Sequence, residues 1–523
     1  MIQSLGFASP HAMIERLTNA DTVDDARRRI AELIGAHGEW FLTRDGGAPA
    51  ALRQSECDFS VAHGRLIFSC WSNEGLRAWR VVAWEWTGEK LLLEATRRMG
   101  AERAALELIP RASSGAITET VANARRWRCE RLAQLACTML HGARVERAAL
   151  SVGARRGQPG RYARVLLRLQ HERIALTGIA ADKNAGDVDA FLSSALIWFA
   201  RACEKARAPY IQKMWLVVRQ EDVEPTAQRV ALLRDDLRRV ITLYKIDEAW
   251  QELTPVCQPE REALWTEQPE CFRRPGRAEI SEWSARIIAL APQAIDVVRA
   301  RHGETLRYHG LAFARVRRVM NRESVWFGVE GTPRRLLDEN SWLEWTKLLS
   351  ELETHRSAEA SDHRHILYKA APEAWLESLL RRDITRLDPG LIISPLHAQF
   401  RTSWGSAAGS RPIDLLALRR DGRLVVIELK VSEDPAHVLQ GADYWRRVEA
   451  LRRHGHIARA RLFDQEAIAD DAPLVYLVAP ILRFHRAYHT LARAIDPEIE
   501  IYRFDINEDW RAGVRVMRRT RSN

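Results

Sequence analysis

Residues Arg423 to Val431 read R-L-V-V-I-E-L-K-V, apolar at successive positions until Glu428 and Lys430. A run with no polar face is the pattern of a strand covered on both sides, so the chain must build a sheet with layers above and below it. Charges at i and i+2 leave one face of such a strand together. Buried there, they must be paired or bound to a cation, because an isolated buried charge is strongly unfavourable.

The preceding run, Ile413 to Arg419, is a second apolar strand, and Arg420-Asp421-Gly422 joins the two. A three-residue hairpin loop ending on a left-handed glycine fits this join. With Arg419 paired to Arg423, Asp414 lies across from Glu428; a slip of one residue would turn it to the other face. Only 8 of the 79 Lys and Arg residues are Lys. Lys430 in a buried strand therefore suggests a specific need for a compact ammonium. A helix follows, with Asp434 as N-cap, Pro435 as first residue and Gly455 as its stop. Ala442, Trp445, Val448 and Leu451 form its core stripe. Gln440, Tyr444 and Arg447 form an adjoining stripe placed to reach the site edge or a nucleic-acid backbone.

Asp414, Glu428-Leu429-Lys430 and Gln440-Gly-Ala-Asp-Tyr444 together resemble the PD-(D/E)xK nuclease superfamily, in its RecB-like and mismatch-endonuclease-like branch with a Gln-x-x-x-Tyr helix. The resemblance covers about residues 365 to 510, with Ile413-Asp414 where the family often has Pro-Asp. It implies a restriction-endonuclease-like mixed sheet flanked by helices. It also implies Mg²⁺ or Mn²⁺ held by Asp414, Glu428 and the Leu429 carbonyl. Glu377, or Glu373 one turn earlier, would serve the metal through water or complete a second site. Lys430 would orient or help deprotonate the attacking water, and the Gln440–Tyr444 pair would complete the site. The expected activity is metal-dependent DNA endonucleolytic hydrolysis of phosphodiester bonds, in DNA repair or defence against foreign DNA. A non-catalytic nucleic-acid-binding or scaffold protein and an RNA nuclease are the alternatives. From the residues alone, a surface ion cluster, an exposed helical Glu377 and a core Tyr444 also remain open.

The expected fold class is α/β, with small β-rich modules beside the nuclease-like sheet. A degenerate second copy is expected in the first half. Residues 162 to 180 lie over 412 to 430 without a gap when shifted by 250, placing Arg164 on Asp414, Gly178 on Glu428 and Ala180 on Lys430. The strands Trp215–Val218 and Leu243–Asp247 match Tyr476–Ala479 and Ile501–Asp505 in the same order. The expected division is a β-rich module at 1–110, the degenerate α/β domain at 111–255, a linker and small α+β module at 256–355, and the nuclease domain at 356–523. Trp79, Trp84 and Trp86 in the first module suit a core or a base-stacking platform.

The net charge of +10 and pI near 9.4 favour a polyanionic partner, although 69 acidic residues are interspersed; the resemblance implies that this partner is DNA, with RNA as the alternative. The seven cysteines form no C-x-x-C pair and none follows Cys271. No zinc finger and no iron–sulfur cluster are expected, and a reducing cytoplasm is. No signal-peptide pattern, membrane span, Walker loop or dinucleotide fingerprint is found. Both a homodimer and an internal pseudo-dimer through the degenerate copy are open.

Overall fold

The computed structural model describes residues 15–523 apart from 18–19, 45–48, 73–74, 98–99, 154–158, 182–186, 207, 209, 267–279, 301–302, 320–321, 331 and 403–410. The protein is α/β, with four sheets in succession along the chain. Its contacts divide it into two units. One comprises Met1–Asp187, Ala206–Val223 and Thr242–Val256; the other comprises Val188–Lys205, Glu224–Ile241 and Cys257–Asn523. Among the described residues, no helix is long and apolar enough to cross a membrane.

In the first unit, Glu15 to Pro110 supply an eight-stranded antiparallel sheet covered by the helix Ala20–Gly35. The expected strands are present as Arg65–Ser72, Gly75–Trp86 and Leu91–Arg97, with a turn closed by the Thr87 amide donating to the Lys90 carbonyl. Trp79 and Trp84 are buried in the core with Trp40, Val23 and Ile30. Their faces are therefore packed rather than offered for base stacking.

The same unit holds a six-stranded sheet: β1 (Arg144–Val152), β2 (Pro159–Arg168), β3 (Arg173–Ile179), β4 (Ile211–Arg219), β5 (Ile241–Ile246) and β6 (Leu253–Val256). Helix α1 (Ser114–Met139) precedes it, α2 (Val188–Lys205) links β3 to β4, and α3 (Gln220–Val230) follows β4. Strand order along the sheet is sequential, with β1/β2, β2/β3 and β5/β6 antiparallel and β3/β4 parallel.

The second unit contains a five-stranded antiparallel sheet from Ile295 to Leu336. The pattern of Leu306 to Arg315 suggests one strand, but the chain folds there into two, Gly303–Tyr308 and Leu311–Val319. His309 and Gly310 both have positive φ (41° and 79°), which is the signature of a two-residue type I′ hairpin. A Cβ on Gly310 would meet the Ala374 carbonyl at 2.0 Å, so this tip packs on the first turn of α4 (Pro372–Arg382). Buried Arg356 secures the junction, donating to the carbonyls of Tyr308, Leu367 and Ala370 with its guanidinium 4.7 Å over the Trp375 ring.

The last sheet comprises β7 (His397–Phe400), β8 (Ile413–Leu418), β9 (Leu424–Leu429), β10 (Leu474–Pro480), β11 (Ile501–Ile506) and β12 (Val516–Arg521). Helix α5 (His437–Arg453) links β9 to β10, and α6 (Tyr488–Ala492) lies between β10 and β11. β9 is buried at every position. Its two faces join separate cores: Val425, Ile427 and Leu429 pack with Trp375 and Leu376 of α4, while Leu424 and Val426 pack with Val448 and Leu451 of α5. The two-sided apolar pattern of the sequence is thus realised as a strand between helical layers.

The order of this sheet is again sequential, with β7/β8, β8/β9 and β11/β12 antiparallel and β9/β10 parallel. Each of these pairings has the same sense as its counterpart in the first six-stranded sheet, and the helices fall between corresponding strands. One detail of the gapless 250-residue overlay is corrected. In the first sheet Arg168 pairs with Arg173 and the Leu169 amide reaches the Glu172 carbonyl, which leaves a two-residue turn. The β8–β9 turn has three residues, with the Arg419 amide on the Arg423 carbonyl and Gly422 at φ 84°. The offset is therefore 250 in the first strand of each hairpin and 251 in the second. Thr177 and Ile179, rather than Gly178 and Ala180, stand where the last sheet has Glu428 and Lys430.

Candidate active site

The β8–β9 ladder runs from Leu418↔Leu424 to Leu415↔Ile427 and ends there. The next position on each strand is Asp414 and Glu428, which confirms the register expected from the turn. Beyond this point Asp414 replaces the ladder bond: its carboxylate accepts the Leu429 amide at 2.9 Å. Glu428 is buried, and its Oε1 accepts from the Lys430 ammonium at 2.6 Å, as two same-face residues on one strand can arrange. Glu428 Oε2 is buried with no hydrogen-bond partner.

The electrostatics follow from that crowding. Burial pushes the Asp414 carboxyl up to about 6; the Leu429 amide and Lys430 pull it back, and Glu377 pushes it further up. Burial and the facing Asp414 raise Glu428 well above the ordinary carboxylate range against the pull of Lys430. Burial works against the Lys430 charge, but Glu428, Glu373 and Asp414 outweigh it, and its pKa is raised. Lys430 is therefore held as an ammonium.

Glu377 lies buried on α4. Its Oε1 accepts from Arg307 at 3.1 Å, and its Oε2 accepts from Gln399 at 2.7 Å. Gln399 also lies 3.5 Å from Asp414 Oδ1. Arg307 comes from the five-stranded sheet and is bonded to Asp296 as well, which Arg381 of α4 also reaches. Glu373 is half-buried on the same helix and reaches the site through its charge on Lys430.

Helix α5 begins at His437, two residues later than Pro435 suggests, although the Asp434 carboxylate still takes the Ala436 amide. Gly455 ends it in the left-handed conformation. Ala442, Trp445, Val448 and Leu451 are buried as expected, but so is most of the helix. Gln440 and Tyr444 do not reach outward toward a nucleic-acid backbone: both are buried, and Gln440 donates to the Tyr444 hydroxyl at 2.8 Å. Burial and then the Glu428 charge raise the Tyr444 phenol, so it stays protonated beneath the carboxylates. Tyr444 packs in the core between α5 and the sheet with Val426, Val448 and Leu451; on another face of α5, which α2 covers, buried Arg229 bridges Asp189 of α2 and Asp443 of α5.

Three residues at the site were not marked by the sequence pattern. Arg307 and Gln399 are remote in sequence, and nothing in their local runs singles them out. His437 Nε2 lies 3.2 Å from the Glu428 carbonyl; burial first, and then Lys430, holds its pKa down to about 3, so the neutral ring donates there. Its place one turn before Gln440 is the one available signal.

Among the described residues, no three His, Cys, Asp or Glu side chains form a metal-ligand group. Two carboxylates do converge, one with an orphaned buried oxygen and both with raised pKa. That donor set fits a hard divalent cation bound by few protein ligands and several waters. No family model matches the chain, and no curated protein does. A solved structure described as "Structure of EndoMS-dsDNA2 complex" matches at 18% identity and a TM-score of 0.16, over 40% of this chain and 64% of that one. The chain thus spans under two thirds of the matched chain's length. A TM-score this low carries no argument, so the functional reading rests on the site.

Proposed function

We propose that the β8–β9 site cleaves phosphodiester bonds in DNA with the help of a divalent cation. The observation that carries this reading is the pair Asp414 and Glu428 at the opened end of a buried hairpin, with one orphaned carboxylate oxygen and an ammonium beside it. Asp414, Glu428 and the Leu429 carbonyl would hold Mg²⁺ or Mn²⁺. Bound there, the ion supplies charge neutralisation at the phosphate and acidity to a water molecule.

The chain's own groups set up the rest. The Leu429 amide fixes the Asp414 carboxylate. Glu377, with both oxygens engaged by Arg307 and Gln399, holds Gln399 toward Asp414. His437 and the Tyr444–Gln440 pair buttress β9 from the α5 side. Lys430 donates to Glu428, which places its ammonium to meet a phosphate oxygen and to orient or help deprotonate the attacking water.

The test is purified protein incubated with plasmid, single-stranded and branched DNA, and with RNA, in Mg²⁺ or Mn²⁺. Cutting of DNA that is lost with EDTA and in Asp414→Asn and Lys430→Ala is the expected outcome. Cutting of RNA alone would reassign the substrate. If nothing is cut, or the variants cut like wild type, the enzyme reading fails and the site is a retained ion cluster.

A further inference from the structure

We infer that the first six-stranded repeat stands in for a second subunit, and that the protein therefore cuts one DNA strand per binding event. The inference rests on the cleavage proposed above. It begins from the repeated topology: two sheets with the same sequential strand order, the same sense at four corresponding pairings, and helices between matching strands.

The second observation is a contact inside the second unit. That unit includes Val188–Lys205 and Glu224–Ile241, which connect strands of the first repeat. Leu233 forms an antiparallel bridge to Ile495. The Arg234 amide donates to the Ala494 carbonyl at 3.0 Å, and the Asp496 amide to the Leu232 carbonyl at 3.0 Å. These segments are counterparts. Residues 232–234 begin two residues after the end of α3, and 494–496 begin two residues after the end of α6. A segment that pairs antiparallel with its own counterpart, through reciprocal bonds, is the mark of an isologous two-fold contact.

The same seam continues through the helices. α2 and α5, each the link between the third and fourth strands of its repeat, pack on one another. Buried Arg229 ties Asp189 of α2 to Asp443 of α5. An isologous surface is self-complementary, so it would accept a second copy of the chain if it were free. Here two segments that connect strands of the first repeat, Val188–Lys205 and Glu224–Ile241, fill it.

The third observation is chemical. Arg164, Thr177 and Ile179 occupy the first-repeat positions of Asp414, Glu428 and Lys430. No carboxylate pair exists there. A homodimer joined through this seam would carry two equivalent centres, one for each DNA strand; the internal pair carries one. In the single reaction, water forms a new bond to phosphorus and one P–O ester bond breaks. One end keeps the phosphate, the other leaves as a hydroxyl, and the water's proton is taken up by the leaving oxygen or solvent.

Two measurements test this. With supercoiled plasmid and Mg²⁺, open circles should accumulate first, and linear DNA should appear only after many independent nicks. Sedimentation should give a species near 59.8 kDa at concentrations where cutting is measured. Linear product arising as fast as open circle would overturn the single-strand claim. A stable dimer would overturn the claim that the seam is filled from within. No cutting of any substrate would sink the cleavage reading and the nicking claim with it, while the mass still decides whether the first repeat replaces a subunit.

Discussion

The β2–β3 and β8–β9 hairpins share a place in their sheets and differ in how far they zip. In the first, pairing continues through Arg164↔Thr177 to Tyr162↔Ile179. In the second it stops at Leu415↔Ile427, one step before Asp414 and Glu428. The first hairpin spends its polar groups on itself: Thr177 Oγ1 donates to the Ala163 carbonyl at 2.9 Å. The second leaves a carboxylate oxygen unmatched and holds two carboxylates and an ammonium in the space so opened. A sheet can thus be closed and self-satisfied or open and chemically equipped, and the two repeats show both outcomes on one topology. Unmatched buried polar groups are unfavourable for stability, and the second repeat keeps one at Glu428 Oε2.

Exchanging the equipment between the hairpins should give the largest effect. Arg164→Asp with Thr177→Glu places two carboxylates in the first hairpin with Ile179 where an ammonium would be needed. At pH 8 we expect a loss of about 3–5 kcal/mol, as for other uncompensated buried charges. Thr177→Glu alone should cost less, because Arg164 lies directly across from position 177. In the second hairpin Glu428→Gln should have the opposite sign. It removes one of two facing carboxyls, leaves Asp414 to balance Lys430, and should add on the order of 1–2 kcal/mol at pH 8 while abolishing cutting. Urea melts of the three variants decide; equal destabilisation in both hairpins would mean that the two sites do not differ as described.

Much of this contrast is legible in the sequence, and the rest is hidden for physical reasons. The β9 strand, its turn and the Asp414–Glu428 register follow from apolar runs and one glycine, which are local signals. The one-residue shift in the first hairpin is not legible because Gln170-His171 carries no turn glycine to mark a two-residue loop. Arg307 and Gln399 could not be read at all. They reach Glu377 through the His309–Gly310 hairpin tip and the positive φ of Gln399, which are matters of tertiary packing. Gln440 and Tyr444 are legible as a pair, but the cover that α2 lays over the Asp443 side of α5 is not. A helix covered on a second side by a distant segment still looks amphipathic in its own sequence.

The pH response gives an intermediate effect. Asp414 titrates near 6 in the folded chain against 3.8 for the free group, and Glu428 is raised as well. Below about pH 3 the carboxyls are protonated in both states and cost nothing. As pH rises from there toward 6, the unfolded chain gives up protons that the folded one retains, so stability falls over that window. A divalent cation binds the ionised pair and should reverse the loss. At a concentration of about 100 times its Kd it should add roughly 2–3 kcal/mol at pH 8 and much less at pH 5. Thermal melts with and without Mg²⁺ at both pH values read this directly. An equal shift at the two pH values, or an undiminished shift in Asp414→Asn, would place the cation elsewhere.

Tyr444→Phe should give the smallest effect and tests how tightly the second hairpin depends on its helix. The change removes only the hydroxyl that accepts from Gln440 Nε2, while the ring keeps its place against Val448 and Leu451. Gln440 Oε1 is already buried without a partner, so the substitution leaves both ends of that amide unmatched. A loss of about 1–2 kcal/mol follows from stranding one more buried donor. If Tyr444 only fills the core, cutting by the surviving folded protein should be unchanged. If it helps hold β9 in register with Asp414, kcat should fall several-fold with KM unaltered, and Gln440→Leu in the Tyr444→Phe background should restore stability without restoring kcat. A double variant that recovers both would reduce the Gln440–Tyr444 pair to packing and leave the open hairpin to be held by Asp414, Lys430 and His437 alone.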